Sequence, residues 1–265
     1  MTASPLTHPV VIQHTESEDP VLMEFRWIPP GWFRMGQRGE YSDEEPPTWV
    51  RITQGFYMGV LPVTVQQHNA LVSKKERKEG DEKLPVTYIT WRQSKELCRV
   101  VNERFNNQLQ IEGVQYECTL PTETQWEYAC RAGTETEVCF GDGLGSYRER
   151  IQRGEHLSQG ELIWYTENSD DEAPRDPHQG IANPFGLLEC HGNVLEWCED
   201  RWHADGPRLF HNGIDEDQAL ELFELLGDHD DDSQWGEFRV QRGGSFFYSA
   251  RVCRAAFRDG DRAGD

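Results

Sequence analysis

The sequence predicts an α+β fold that is irregular and loop-rich, with short strands, two to four helices and little regular secondary structure. Three observations predict it. Aromatic residues sit on alternating positions in short runs broken by Pro and Gly; only a few stretches carry helical spacing; and a long central span is dominated by turn formers. The 265 residues read as one large domain over 21–265, preceded by a flexible tail, 1–20, and carrying an acidic insertion at about 205–236.

In chain order, Met23 to Ile28, Trp32 to Gly36, Trp49 to Ile52 and Phe56 to Met58 read as strands, separated by Pro29-Pro30-Gly31 and the acidic turn Asp43-Glu44-Glu45-Pro46-Pro47. Helices are predicted over 64–73 and 90–106. In the second, Trp91, Ser94, Leu97, Cys98 and Val101 recur at helical spacing behind Thr90 as a cap. A third begins at Thr122, where Thr122-Glu123-Thr124-Gln125 has the form of a capping box, and stops before Gly133. Residues 141–184 are turn-rich, and spans of this kind in a compact domain are usually functional or held by an ion. In the acidic insertion, Leu220, Leu222, Phe223, Leu225 and Leu226 read as a short helix. It either packs on its own domain or docks a protein partner.

Charge excludes several functions. Lys and Arg number 26 against 47 Asp and Glu, a net charge of −21, and there is no basic run to track phosphates, so nucleic acid is not an expected partner. The first 20 residues have neither a basic n-region nor an apolar h-region, and no stretch is apolar for the roughly 18 residues a span needs. A cytoplasmic protein without membrane contact is expected. Seven scattered cysteines and no C-x-x-C pair speak for free thiols rather than a disulfide framework or a zinc ribbon.

Three stretches are the most informative: Thr119-Leu120-Pro121-Thr122-Glu123-Thr124-Gln125-Trp126-Glu127-Tyr128-Ala129-Cys130-Arg131-Ala132-Gly133-Thr134; Asn183-Pro184-Phe185-Gly186-Leu187-Leu188-Glu189-Cys190-His191-Gly192-Asn193-Val194-Leu195-Glu196-Trp197; and Arg239-Val240-Gln241-Arg242-Gly243-Gly244-Ser245. Trp126, Trp197 and Trp202 serve as large apolar anchors, and Gly192 with the Gly243-Gly244 pair suits tight backbone approaches. Together, and with Phe33-Arg34-Met35-Gly36 and Pro62-Val63-Thr64, these stretches resemble the formylglycine-generating-enzyme, or sulfatase-modifying-factor, family over about residues 22–258.

The resemblance implies a C-type-lectin-like fold stabilised by calcium. One calcium would be held by Glu189 and Glu196 with the carbonyls of Gly192 and Val194, and a second would draw a ligand near Asn168. Hard calcium takes six to eight oxygens of these kinds. Read from the residues alone, Glu196 could equally accept backbone N–H bonds in its loop.

The family's chemistry is oxidation of a substrate cysteine to formylglycine, with copper(I) on two thiolates that follow the Gly-Gly-Ser. Those positions here hold Tyr248 and Cys253, Ser245 is retained, and the tryptophan of the family's oxygen pocket falls at Leu195. A single thiolate cannot supply two-sulfur coordination, so copper is not expected. If catalysis survives, Cys253 is the metal ligand or nucleophile beside Ser245, with Cys190 or Cys198 as a replacement thiolate. An iron-binding branch carries a His-rich helical bundle. Too few residues precede Val21 for one, and His8, His14, His68 and His178 lack i, i+4 pairing, so iron is not expected either.

A third, non-catalytic branch displays variable residues for binding. Phe246, Phe247, Tyr248, Ser249, Arg251, Arg254 and Arg258 resemble its display segment, and aromatic and Arg side chains are the types that carry interface energy. The three arginines make that face locally basic, compatible with an acidic ligand; alternatively they pair with the chain's many carboxylates. The Gly-Phe-Arg strand that ordinarily closes the fold is not found before Asp265, so the resemblance implies that it is missing or replaced. The resulting reading is a divergent domain of this type that binds a protein or small-molecule ligand and has lost the two-cysteine copper site. The alternative is an oxygen-dependent metalloenzyme oxidising a peptidyl cysteine or related small substrate, by formylglycine-generating or sulfur-transfer chemistry.

Overall fold

The computed structural model describes residues 10–14, 21–72, 80–140, 163–169, 173–226 and 237–264. Three helices begin the same way. Helices α1 (Val65–Leu71), α2 (Trp91–Phe105) and α3 (Glu123–Arg131) are capped by Thr64, Thr90 and Thr122. In each, the threonine hydroxyl accepts the N–H of a glutamine at the third helical position, and that glutamine's side chain accepts the threonine N–H. Two orphan donors are satisfied at each start, so local chemistry sets where the helices begin. Beyond α3, Ala132 adopts left-handed backbone (φ 46°) ahead of Gly133, which ends the helix where expected.

Short strands form three small sheets and a hairpin. Strands β2 (Val21–Ile28), β3 (Gly31–Met35), β4 (Thr48–Ile52) and β5 (Phe56–Gly59) follow the aromatic alternation. The first sheet has the order β1-β2-β5 and the second β3-β4-β9, where β9 is Ile214–Asp215; β6 (Gln110–Ile111) pairs with β7 (Val114–Gln115). Within the segment expected to be a tail, 1–20, the described residues form strand β1 (Val10–His14), which pairs antiparallel with β2 from Val10 opposite Phe25 to His14 opposite Val21. Its Ile12 is buried beside Leu71, Leu97 and Val101, and that anchor holds the segment to the domain. In the third sheet, β10 (Phe238–Arg242) lies between β8 (Glu196–Arg201) and β11 (Arg258–Arg262). Strand β11 forms one edge of this sheet.

The helix predicted in the acidic segment is present as α5 (Glu216–Leu226). Ala219 and Phe223 are fully buried in the main core with Ile28, Met35, Val50, Trp126 and Val240, so the helix packs on its own domain. Residues 227–236 of the insertion, and 141–162 and 170–172 of the turn-rich span, lie outside the described residues.

A network of buried ion pairs ties α3 to the third sheet. Arg258 grips Glu123 with both ends of its guanidinium (2.6 and 2.8 Å), Arg242 reaches Glu127 and Glu123, Arg131 bonds Glu127 (2.8 Å), and Arg254 bonds Glu44 (2.7 Å). Despite burial, the Arg258 charge holds Glu123 below the ordinary carboxylate range. Asp200 differs. Its Oδ2 accepts the Glu123 N–H (2.6 Å), its Oδ1 has no partner among the described residues, and burial beside Glu123 pushes its carboxyl up to about 8.

That asymmetry predicts a pH dependence. Between the unfolded value near 4 and about 8, the folded state keeps a proton that the unfolded chain has lost, so this group's contribution falls as pH rises through the window and levels off above it. The limiting slope is about 1.4 kcal/mol per pH unit. Replacing Asp200 by asparagine should flatten the decline of Tm between about pH 5 and about pH 8; an unchanged profile would contradict the assignment.

Candidate functional site

The site is built around a strained loop and the segment that leans on it. Glu189 and Asn193 both have φ of 62°, and Gly192 has φ of 79°. A side chain at Gly192 would come within 2.4 Å of the Trp164 carbonyl, so glycine is required there. Non-glycine residues in the left-handed region are uncommon and cluster where surrounding contacts over-determine the backbone. Those contacts are present. The Asn193 N–H donates to the Trp164 carbonyl (2.7 Å), and its side chain brackets Arg175, accepting the N–H (2.9 Å) and donating to the carbonyl (3.2 Å). The Asn193 carbonyl in turn accepts the Phe246 N–H (2.9 Å). Loop and display segment therefore share one hydrogen-bonded frame, to which Ser169 adds a bond to the Phe246 carbonyl (2.7 Å) and Thr166 one to the Tyr248 carbonyl (3.0 Å). Both come from the one-turn helix α4 (Thr166–Ser169).

The residues proposed for calcium lie within this frame. Glu189 is buried and its Oε1 faces the Arg175 guanidinium (2.7 Å), while its Oε2 is buried with no partner among the described residues. Burial, opposed by Arg175, pushes the Glu189 carboxyl up to about 7; burial does the same to Glu196, opposed by a hydrogen bond from Trp126 and reinforced by the Glu189 charge. Arg175 thus meets one oxygen of Glu189, and Glu196 gains its hydrogen bond from Trp126 instead. The buried, orphaned Glu189 oxygen and the two carboxyls that burial pushes up are of the kind that a hard cation would satisfy. Asn168 is placed differently. Its Oδ1 accepts the Tyr165 N–H (2.8 Å) and its amide donates to the Ile163 carbonyl (2.8 Å), so its side chain closes its own turn. Among the described residues, no group of three or more His, Cys, Asp or Glu side chains is placed to hold a metal ion.

Cys253 and Ser245 lie close together but face different surroundings. Cys253 is fully buried among Val138, Ile163 and Tyr165; its thiol donates to the Ser249 carbonyl (3.7 Å) and accepts the Ser245 backbone N–H. Burial pushes that thiol up to about 12, so it is protonated at neutral pH. Gly244 (φ 72°) makes the close approach that the Gly-Gly pair implied, since a side chain there would meet the Val252 carbonyl at 2.7 Å and the Cys253 sulfur at 2.8 Å. Of the two candidate replacement thiols, Cys190 is hydrogen-bonded to Cys130, and Cys198 is buried with its thiol raised by desolvation and by the Asp200 and Glu123 charges. His191 lies beside Cys253: its Nε2 accepts the Cys139 N–H (3.1 Å) and its Nδ1 bonds the Cys253 carbonyl (2.9 Å).

The display segment divides in two. Phe247, Tyr248, Ser249 and Arg251 are exposed, with Phe247 62% and Tyr248 39% accessible, and Phe246 is half-buried. Arg254 and Arg258 are only 2% and 3% exposed, held by Glu44 and Glu123, while Arg251 pairs with Glu40 (2.7 Å). This corrects the expectation of a basic face with Arg254 and Arg258 as ligand contacts. The guanidinium groups turn inward because the carboxylates that neutralise them lie in the core.

Beside the segment lies a cavity of about 770 Å³, lined by Ser245, Phe246, Phe247 and Tyr248 on one side and by Leu195, Glu196 and Trp197 on another. Met23, Tyr57, Tyr88, Cys98, Tyr116 and Cys118 also line it, with Tyr57 and Tyr116 meeting edge to face at 5.2 Å. The lining is mainly apolar and aromatic. Its charged members among the described residues are Glu24, Glu117, Glu196 and Asp261, all acidic. An acidic ligand, which the sequence left open, is therefore not what this wall favours. Tyr57, Tyr88 and Tyr116 carried no sequence signal, because they come from separate segments that meet only in the fold.

Comparison with known proteins agrees with this architecture. The family model described as "Sulfatase-modifying factor enzyme 1-like domain" matches residues 13–265. The chain is 26% identical to serine/threonine-protein kinase pkn1 of Chlamydia caviae, covering 75% of this chain and 32% of that protein. It is also 26% identical to the formylglycine-generating enzyme of Mus musculus, covering 64% of this chain and 37% of that one. It thus spans about a third of the length of these two relatives. Among solved structures, Treponema denticola variable protein 1 superposes with a TM-score of 0.69 at 20% identity, covering 97% of this chain and 95% of that chain. PvdO from Pseudomonas aeruginosa superposes with a TM-score of 0.65 at 18% identity, covering 98% and 95%. At these identities the likeness to solved structures shows the fold alone, which is the loop-rich C-type-lectin-like fold. The match of the family model across nearly the whole length places this chain in the sulfatase-modifying factor enzyme 1-like domain family.

Proposed function

We infer that the chain is a binding module of this family, and that its ligand enters the 770 Å³ cavity under the rim formed by Phe247 and Tyr248. The observation that carries the reading is the lining: convergent aromatic rings, with carboxylates as its charged members among the described residues. Such walls suit a neutral or cationic group on an apolar body, which the rings hold by burial and cation–π attraction. An amine-bearing small molecule or a lysine or arginine side chain of a protein partner has that chemistry. Supporting the loss of copper chemistry, Cys253 is a buried, protonated thiol and the position five residues earlier is Tyr248.

The test compares an aryl-alkyl ammonium with the carboxylate of the same skeleton by calorimetry. The ammonium should bind and the carboxylate should not, and Tyr248→Ala should weaken binding about fivefold or more, the effect of losing about 1 kcal/mol at an interface hot spot. Tighter binding of the carboxylate would overturn the reading.

Calcium belongs to the same reading. Glu189, Glu196 and the Gly192 and Val194 carbonyls would hold it, and it would supply the positive charge that Arg175 alone does not. Because Asn193 of this loop bonds Phe246, the ion would stiffen the frame that carries the rim. Adding calcium at about a hundred times its Kd should stabilise the fold by about 2.7 kcal/mol over the chelated protein, and Glu189→Gln should erase the difference. A Tm that ignores chelator would leave Arg175 as the loop's cation and remove calcium.

Among the described residues no helix is long and apolar enough to cross a membrane. All seven cysteines are free thiols, which fits the reducing environment of the cytoplasm.

A further inference from the structure

One face of α2 carries a feature that the binding reading does not use. Lys95, Cys98 and Asn102 follow one another at i, i+3 and i+7, so they align along the helix, and residues 118–119 run beside them. Asn102 fixes the register: its Oδ1 accepts the Cys118 N–H (2.7 Å) and its amide donates to the Cys118 carbonyl (2.9 Å). Lys95 reaches the Thr119 hydroxyl (3.4 Å) and pairs with Glu199 (2.8 Å). Cys118 is thereby held against α2 one turn from Cys98, and both cysteines line the cavity. Among the seven cysteines Cys118 is the one that is not buried.

The geometry points to Cys98 and Cys118 as a redox-active dithiol in the cavity wall that exchanges with small-molecule disulfides. Cys118 is the attacking sulfur: a hydrogen bond from the Cys98 thiol holds it below the ordinary thiol value, aided by Lys95, while the same bond drives Cys98 upward. The Cys118 thiolate attacks one sulfur of the oxidant, forming a mixed disulfide and expelling a thiolate. Cys98 then gives its proton to the expelled thiolate and attacks the Cys118 sulfur, breaking the mixed disulfide and releasing the second thiolate, which takes a proton from solvent. Two protein thiols are oxidised to one disulfide, and the oxidant is reduced to two thiols. The other five cysteines are buried and take no part.

The native protein should be exposed to oxidised glutathione, quenched with an alkylating agent and peptide-mapped. The expected product is a peptide pair joined through Cys98 and Cys118, opened by dithiothreitol, with the remaining cysteines alkylated only after denaturation. Cys98→Ser should stop at a glutathione adduct on Cys118, and Cys118→Ser should not react. A wild-type protein that stays unreacted, or halts at the Cys118 adduct, would overturn the proposal. The readout involves no cavity ligand, so it stands or falls apart from the binding reading.

Discussion

Replacing Arg242 by methionine should lower stability by about 3–5 kcal/mol, the size seen when one partner of a buried ion pair is removed. Arg242 is fully buried. Its guanidinium reaches Glu127 and Glu123, donates to the carbonyls of Ala255 (3.0 Å) and Phe257, and lies over the Trp126 ring at 5.2 Å. Methionine keeps most of the volume but leaves carboxylates of Glu123 and Glu127 short of a cation and two buried carbonyls short of a donor. For a chain of this size, each kcal/mol is worth about 2–4 °C, so Tm should fall by roughly 10 °C. Combining Arg242→Met with Glu127→Gln should cost less than the two single changes summed, because each single change already removes the bond that the two side chains share, while Arg131 still pairs Glu127. Strict additivity would mean that the two side chains act independently, against the geometry.

Phe223→Ala should cost about 3–5 kcal/mol, as other buried aromatic-to-alanine changes do. Phe223 is fully buried, meets Phe210 at a tilt with ring centroids 5.0 Å apart and lies beneath the Arg258 guanidinium at 5.5 Å. Leu225, two residues along the same helix, is 69% exposed, and its truncation should stay within about 0.5 kcal/mol. Thermal melts of the two variants measure this directly. If Phe223→Ala were as silent as Leu225→Ala, α5 would be a detached docking element rather than part of the core.

The elements that sequence reading recovered are those set by neighbouring residues. Thr64, Thr90 and Thr122 each sit three positions before a glutamine, and that spacing alone is enough to start a helix. Buried positions in β4 alternate strictly with exposed ones, the period-two pattern of a strand against a core. What was not legible depends on partners far along the chain. Arg254 meets Glu44 across 210 positions and Arg258 meets Glu123 across 135, and arginine is ordinarily a surface residue. The sequence leaves open both a basic display face and pairing with carboxylates, and for Arg254 and Arg258 the core carboxylates decide for pairing. Strand β1 is not legible in the sequence because its five residues carry no turn or cap signal of their own and are held by pairing with β2 and by Ile12. The cavity and the Cys98–Cys118 pair needed the fold itself, since no short motif joins the segments that build them.

With Tyr248 and Cys253 at the two positions that the family resemblance assigns to copper thiolates, the proposed binding module should not carry out copper-dependent cysteine oxidation. The most direct measurement loads the protein with copper(I), adds a cysteine-containing peptide in air and follows conversion of the cysteine to formylglycine by mass. No conversion is expected. Multiple turnovers that Cys253→Ser abolishes would contradict it.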